Sequence, residues 1–83
     1  MKILEEGPLL RNRFVTIKVV VVGFDDFDKK KVARYEVWLV RPVGANVCLH
    51  KGLNYSGENH VMLAKAAARV EIESHQRLGW VKL

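Results

Sequence analysis

The segment from Phe14 to Phe24 is the feature that most constrains how this chain folds. It is dominated by β-branched side chains, which favour an extended strand over a helix. Successive side chains of a strand point to opposite faces, so one face takes Val15, Ile17, Val19 and Val21. The other face begins polar and becomes apolar, with the order Thr16, Lys18, Val20, Val22 and Phe24. The pattern predicts a strand with one continuously apolar face.

Two further strands are predicted, from about Val32 to Arg41 and over Val47–His50. An aspartate-rich connection precedes the first of them, and Pro42 ends it because proline has no amide hydrogen for a ladder. Alternation divides the second strand into two faces, Ala33, Tyr35, Val37 and Leu39 against Arg34, Glu36, Trp38 and Val40. In the third strand, the same alternation separates Val47 and Leu49 from Cys48 and His50.

A helix is predicted from about Gly57 to Leu78, because its alanine-rich stretch contains strong helix formers. Ser56 is the expected N-cap, and Gly79 followed by Trp80 is typical of a glycine-terminated helix with an apolar contact. Residues 1–12 contain Gly7-Pro8, which breaks a helix, and are interpreted as an arm or edge segment. The rest, residues 13–83, forms a single β-β-β-α domain.

The predicted fold is therefore α+β, a three-stranded antiparallel meander with a long C-terminal helix packed on one face. The sheet residues expected beneath the helix are Val15, Ile17, Val19, Val21, Tyr35, Val37, Leu39, Val47 and Leu49. The helix residues expected to face them are Ala64, Ala68 and Ile72.

Length and composition narrow the class of protein. A chain of 83 residues forms one core and leaves little room for a deep substrate pocket. The formal charge of +5 is spread along the chain, and such a balance attracts nucleic acid, acidic proteins or anionic membranes. One cysteine excludes an internal disulfide, and neither a signal-peptide core nor an apolar stretch of ~20 residues is present. A cytoplasmic location without membrane contact is the expectation.

The sequence signals for a catalytic or metal-binding site are weak. Asp25, Asp26 and Asp28 lack the spacing of a calcium loop and lie beside three lysines, so a solvated hairpin tip is expected. Cys48 with His50 and His60 matches neither zinc spacing nor a nucleophile with an oxyanion turn. We expect no enzyme activity, no metal, no cofactor and no small-molecule substrate.

Basic and aromatic residues are the stronger candidates for binding. The candidate phosphate contacts are Lys18, Lys29, Lys30, Lys31, Arg34 and Lys65. Trp38 faces away from the expected core, where it either binds a partner or packs under residues 1–12. Together with its neighbours on that face, it defines a candidate partner-binding set of Val20, Val22, Trp38 and Val40.

The order of three strands and a last helix that carries Ala64-Lys65-Ala66-Ala67-Ala68 in its early part resembles the C-terminal part of a double-stranded-RNA-binding domain. The resemblance implies a phosphate contact for Lys65. The two preceding lysines of that family fall on Val61 and Met62, which cannot bind phosphate. The likeness covers about half of the chain and is one of topology.

The function expected from sequence is a small non-catalytic module that binds nucleic acid through its phosphate backbone. The alternative is a protein-binding module, such as a small inhibitor or a subunit of a larger complex, of the kind found in phages and mobile elements. Self-association through the face that carries Trp38 is expected as well, because small monomers rarely leave a contiguous apolar patch open.

Overall fold

Six strands and one helix make up the chain in the computed structural model, which describes residues 1–83. The elements are β1 Lys2–Asn12, β2 Val15–Asp25, β3 Lys31–Val40, β4 Val47–Lys51, β5 Tyr55–Ser56, α1 His60–Arg77 and β6 Val81–Lys82. The α+β class and the antiparallel sheet with a helix on one face are confirmed. The count of three strands is wrong, because β1, β5 and β6 also belong to the sheet.

The sheet has the order β4-β3-β2-β1-β6, and β5 pairs with the part of β3 that β4 leaves free. All of its pairs are antiparallel. β2 and β3 are in register from Thr16 opposite Val40 to Asp25 opposite Lys31, without a bulge. This uninterrupted ladder gives each of the two strands one face toward the helix and one face away from it.

Residues 2–12 form β1, which lies between β2 and β6. The sequence signal is weak because the apolar residues are interrupted, and the strand absorbs the interruption as two register shifts. Gly7 lies at the second shift, where an added Cβ would come within 2.7 Å of the Val19 carbonyl oxygen. Only glycine permits this close approach of the two backbones. Beyond the shift, Leu10 is fully buried.

Helix α1 begins later than predicted and ends as predicted. Its N-cap is Asn59 rather than Ser56, and no side chain caps the first turn. At the other end Gly79 has a φ of 95°, and its amide donates to the Gln76 carbonyl while the Trp80 amide donates to the His75 carbonyl. This pair of hydrogen bonds defines a Schellman motif. The Trp80 ring then meets the His75 ring edge-on, with centroids 5.7 Å apart.

The hydrophobic core lies between α1 and one face of the sheet. Its buried members are Leu10, Ile17, Val19, Val21, Ala33, Val37, Ala64 and Ala68. Two alanines at the centre of the helix interface allow the helix to lie close to the valines of β2 and β3. The predicted burial of Ile17, Val19, Val21, Val37, Ala64 and Ala68 is thus confirmed.

The remaining predicted core positions are less covered. Tyr35, Leu39 and Ile72 are half-buried. Val15, Val47 and Leu49 are exposed, so their predicted burial is wrong. One helix of 18 residues covers the middle of the sheet, whereas Val15 begins β2 and the other two lie on the outer strand β4.

A bulge in β4 corrects the predicted faces of Cys48 and His50. Cys48 pairs with Trp38 and His50 with Val37, with a register shift between them that leaves out Leu49. Because a shift of one residue reverses the face, His50 lies on the helix side, where its ring approaches the Tyr35 ring. Cys48 lies on the opposite side beside Trp38.

A polar cluster joins α1 to the sheet at the edge of the core. The Tyr35 hydroxyl donates to Glu71 Oε2 over 3.3 Å, and His75 Nε2 lies 3.1 Å from Glu71 Oε1. Burial raises the pKa of the Tyr35 phenol above its ordinary value of 10.0, and the charge of Glu71 raises it further. The neutral phenol therefore holds β3 to the helix.

Replacing Val19 by Ala tests the core. We expect a loss of about 2 kcal/mol in unfolding free energy, because the Val19 side chain is only 1% exposed and a cavity would remain. Urea denaturation followed by circular dichroism measures it. The same substitution at Val70, which is 64% exposed on α1, is the control and should change stability by less than about 0.5 kcal/mol. Equal effects of the two variants would contradict this description of the core.

Candidate functional site

The sheet face turned away from α1, here called the open face, is the candidate site. The β2–β3 register places Lys18 opposite Trp38, Val20 opposite Glu36, Val22 opposite Arg34, and Thr16 opposite Val40. These alternate residues share one face because the ladder between the strands is unbroken. The structure thereby brings together the predicted partner-binding residues Val20, Val22, Trp38 and Val40.

A groove of about 370 Å³ runs across the open face. Val20 and Val22 form its floor and are only 5% and 3% exposed. Trp38 and Val40 are half-buried along one side. The β1 side contributes Met1 and Ile3, and Ile3 lies opposite Val22. β1 therefore lies beside β2 and does not cover Trp38.

Glu36 is the buried charge of the open face. It is 1% exposed although no helix covers this side of the sheet. Its Oε2 accepts from Arg34 Nε at 2.9 Å and from Nη2 at 2.8 Å, and its Oε1 accepts from Trp38 Nε1 at 3.0 Å. All three residues alternate along the same face of β3, which is why their side chains meet.

The Glu36 cluster fixes the orientation of the Trp38 ring. A buried carboxylate is costly unless its oxygens are paired, and here both oxygens accept hydrogen bonds. Arg34 is itself held by stacking over the Phe24 ring, with its guanidinium carbon 4.7 Å from the centroid. The indole is consequently held at one edge by a hydrogen bond, with its apolar body turned to the groove.

The six predicted phosphate contacts do not share one surface, and three of them are paired with carboxylates. Lys18 lies 3.4 Å from Glu6 on the open face, and Arg34 pairs with Glu36. Lys65 reaches Glu5 at 3.3 Å, from α1 to β1 on the helix side of the sheet.

At the hairpin tip, Lys29 and Lys30 lie in the loop between β2 and β3, Lys31 is the first residue of β3, and none of the three forms an ion pair. The Asp26 carboxylate organises this tip by accepting from the amides of Asp28 and Lys30, each at 2.9 Å. Lys29 has a φ of 60°. All three lysines are exposed. The tip is thus an ordered loop that presents unpaired cations.

The other sequence candidates are dispersed. The Asp26 carboxylate is engaged with backbone amides, and the bulge in β4 puts Cys48 and His50 on opposite faces. His60 lies at the start of α1, where its Nδ1 is 2.7 Å from the Gly57 carbonyl oxygen. No group of three or more His, Cys, Asp or Glu side chains is placed to hold a metal ion. The length and apolar character of α1 fall short of what a membrane-crossing helix requires.

Sequence reasoning missed Glu36, Met1 and Ile3. The alternation of Arg34, Glu36 and Trp38 along β3 was a usable signal, since residues two apart on a strand share a face. Nothing comparable indicated Met1, and Ile3 was considered only as part of residues 1–12 that could pack over Trp38, because the place of both residues at the groove depends on the pairing of β1 with β2.

Comparison of the chain with protein-family models, with curated proteins and with solved structures finds no significant match. Its function is therefore inferred from the geometry of its own residues.

Removing the Glu36 carboxylate should destabilise the protein strongly. Glu36→Ala leaves the nearly buried Arg34 guanidinium without its counterion and the Trp38 indole N–H without an acceptor. We expect a loss of about 3–5 kcal/mol in unfolding free energy. Glu36→Gln keeps an acceptor for the indole and should lose less.

Urea denaturation gives these values, with Glu73→Ala as the matched control. Glu73 is exposed on α1, and its removal should change stability by less than about 0.5 kcal/mol. If Glu36→Ala were as stable as Glu73→Ala, the cluster would not hold the open face together.

Proposed function

We propose that this protein is a non-catalytic protein-binding module that uses the open face, with Trp38 as its anchor. The observation that carries the proposal is that the candidate partner-binding residues converge on one face of the sheet. Val20, Val22, Trp38 and Val40 lie on two adjacent strands in direct register and enclose a groove. The six candidate phosphate contacts are instead divided among the open face, the helix side and the hairpin tip.

The fixed orientation of the Trp38 ring supports the proposal. Interface anchors are commonly aromatic residues near the centre of a patch, and they bind best when little side-chain freedom is lost on association. Trp38 meets the second condition, because Glu36 accepts its N–H and restrains the ring, which borders the groove. A preorganised indole of this kind suits a protein or peptide partner.

The charges of the open face also favour a protein partner over phosphate. Lys18 and Arg34 both point to this face, yet each lies within 3.4 Å of a carboxylate. A phosphate group would have to compete with Glu6 and Glu36 for them. A partner that brings apolar side chains leaves both ion pairs intact and buries the groove.

Selection from a random peptide library displayed on phage tests the proposal, because such a library samples many partner sequences at once. Selection on the wild type should enrich peptides with apolar anchors. Such peptides should bind Trp38→Ala about thirtyfold more weakly, since a central tryptophan typically contributes about 2 kcal/mol or more. Circular dichroism must show that the variant is folded. Selected peptides that bind both proteins equally would place the binding site elsewhere.

A second candidate function is supported by the hairpin tip. Lys29, Lys30 and Lys31 are exposed, unpaired and held at an ordered hairpin tip, so they can contact a phosphate backbone as point charges. We propose nucleic-acid binding at this tip as the alternative activity, directed to backbone phosphates rather than to bases.

Salt dependence tests this alternative. If all three lysines contact phosphate, changing them together to Ala should reduce the slope of log affinity against log salt by up to ~3. Fluorescence anisotropy with a labelled duplex and a labelled single strand measures the slope. The control is Lys18→Ala with Lys65→Ala, because those lysines are already paired with glutamates. An unchanged slope in the triple variant would show that the tip does not contact phosphate. A lack of binding by the wild type at low salt would contradict nucleic-acid binding altogether.

A further inference from the structure

The dimensions of the molecule make the open face large enough for a stable interface. The chain forms a slab with extents of 42 × 28 × 16 Å, in which the sheet and α1 are the two layers. One broad face of such a slab is comparable in size to the ~800 Å² that each partner buries in a standard interface. A third layer on the open face would bury its side chains, as α1 buries the side chains of the other face.

The charges of the open face are self-complementary. In a two-fold symmetric interface each subunit presents the same patch, so any charges in that patch must include both signs to attract one another. Lys18 and Glu6 lie 3.4 Å apart, and their side chains are 27% and 55% exposed, so either can exchange partners across a two-fold axis. Arg34 and Glu36 are already compensated within one chain. The centre of the patch therefore presents no uncompensated like charges.

The open face carries a groove and an aromatic side chain next to each other. The groove holds about 370 Å³, and six of its ten lining residues are hydrophobic, with Trp38 on its border. A second copy placed face to face brings its own Trp38 to this border. Two sheets packed in this way keep their strands within about 30° of each other and interdigitate their inner side chains.

We infer that the occupant of the open face is a second copy of this chain, joined through a two-fold axis close to Trp38. This inference rests on the proposed function, because it uses the same face and the same anchor. The dimer is a four-layered assembly, with the two sheets inside and the two helices outside. Val20 and Val22 then lie in its centre.

Sedimentation equilibrium over a concentration series from micromolar to millimolar tests the inference. The mass should rise from that of the 9.5 kDa chain to twice that value. Ile3→Lys should weaken the dimer at least about tenfold by placing a charge at the groove. Ile3 is 55% exposed in the monomer, so this substitution leaves the fold intact.

The matched control is Val70→Lys, which adds the same charge at a residue 64% exposed on the outer side of α1. It should leave the dimer unchanged. Tryptophan emission provides a second readout, since it should shift to shorter wavelength as the dimer forms. Trp38→Phe should abolish this shift, although Trp80 remains. A wild type that stays monomeric, or a dimer that Ile3→Lys leaves intact, overturns the inference.

The two proposals fail in different ways. A monomeric wild type that still selects peptides dependent on Trp38 overturns self-association and leaves the protein-binding function standing. A monomer that selects no such peptides overturns both. A dimer that dissociates in Ile3→Lys and persists in Val70→Lys supports both.

Discussion

The middle of β2 is apolar on both faces, but only one face of the sheet is covered by a helix. The rest of the structure depends on this difference between the two faces. Val19 and Val21 are buried beneath α1, while Val20 and Val22 are buried on the side that has no helix. Apolar side chains there must be covered by something else. Within the single chain the two valines are already almost fully buried, and a groove lined by Ile3, Trp38 and Val40 remains beside them.

The Glu36 cluster shows how the open face stays ordered without a layer above it. A buried ion pair is seldom more stabilising than apolar residues of the same size, so its presence is better explained by orientation than by stability. The carboxylate joins Arg34 to Trp38, and Arg34 stacks on Phe24. A row of side chains along one strand is thereby held in a single arrangement, which leaves Trp38 little side-chain freedom.

The net charge of this protein differs from the number of cations that are free of a carboxylate partner. The chain carries +5, yet Lys18, Arg34 and Lys65 are each paired with a glutamate. The three lysines of the hairpin tip remain unpaired, and Asp26 holds their loop through backbone amides. Long-range attraction of a negative partner follows from the total charge, whereas direct phosphate contact depends on which cations are free. The two candidate functions accordingly occupy different places on the molecule.

Alternation within each strand and the alanine-rich helix were sufficient to predict the α+β class and the burial of Val19 and Val37, because the periods of strands and helices are local properties. The shared face of Val20 and Trp38 depends in addition on the register between β2 and β3. The glycine-terminated end of α1 was local too. The tertiary structure alone decided the pairing of β1, the bulge that separates Cys48 from His50, and the pairing of Lys18 with Glu6 and Lys65 with Glu5. Each of these depends on register between segments distant in sequence, and a shift of one residue would reverse the face of every side chain involved.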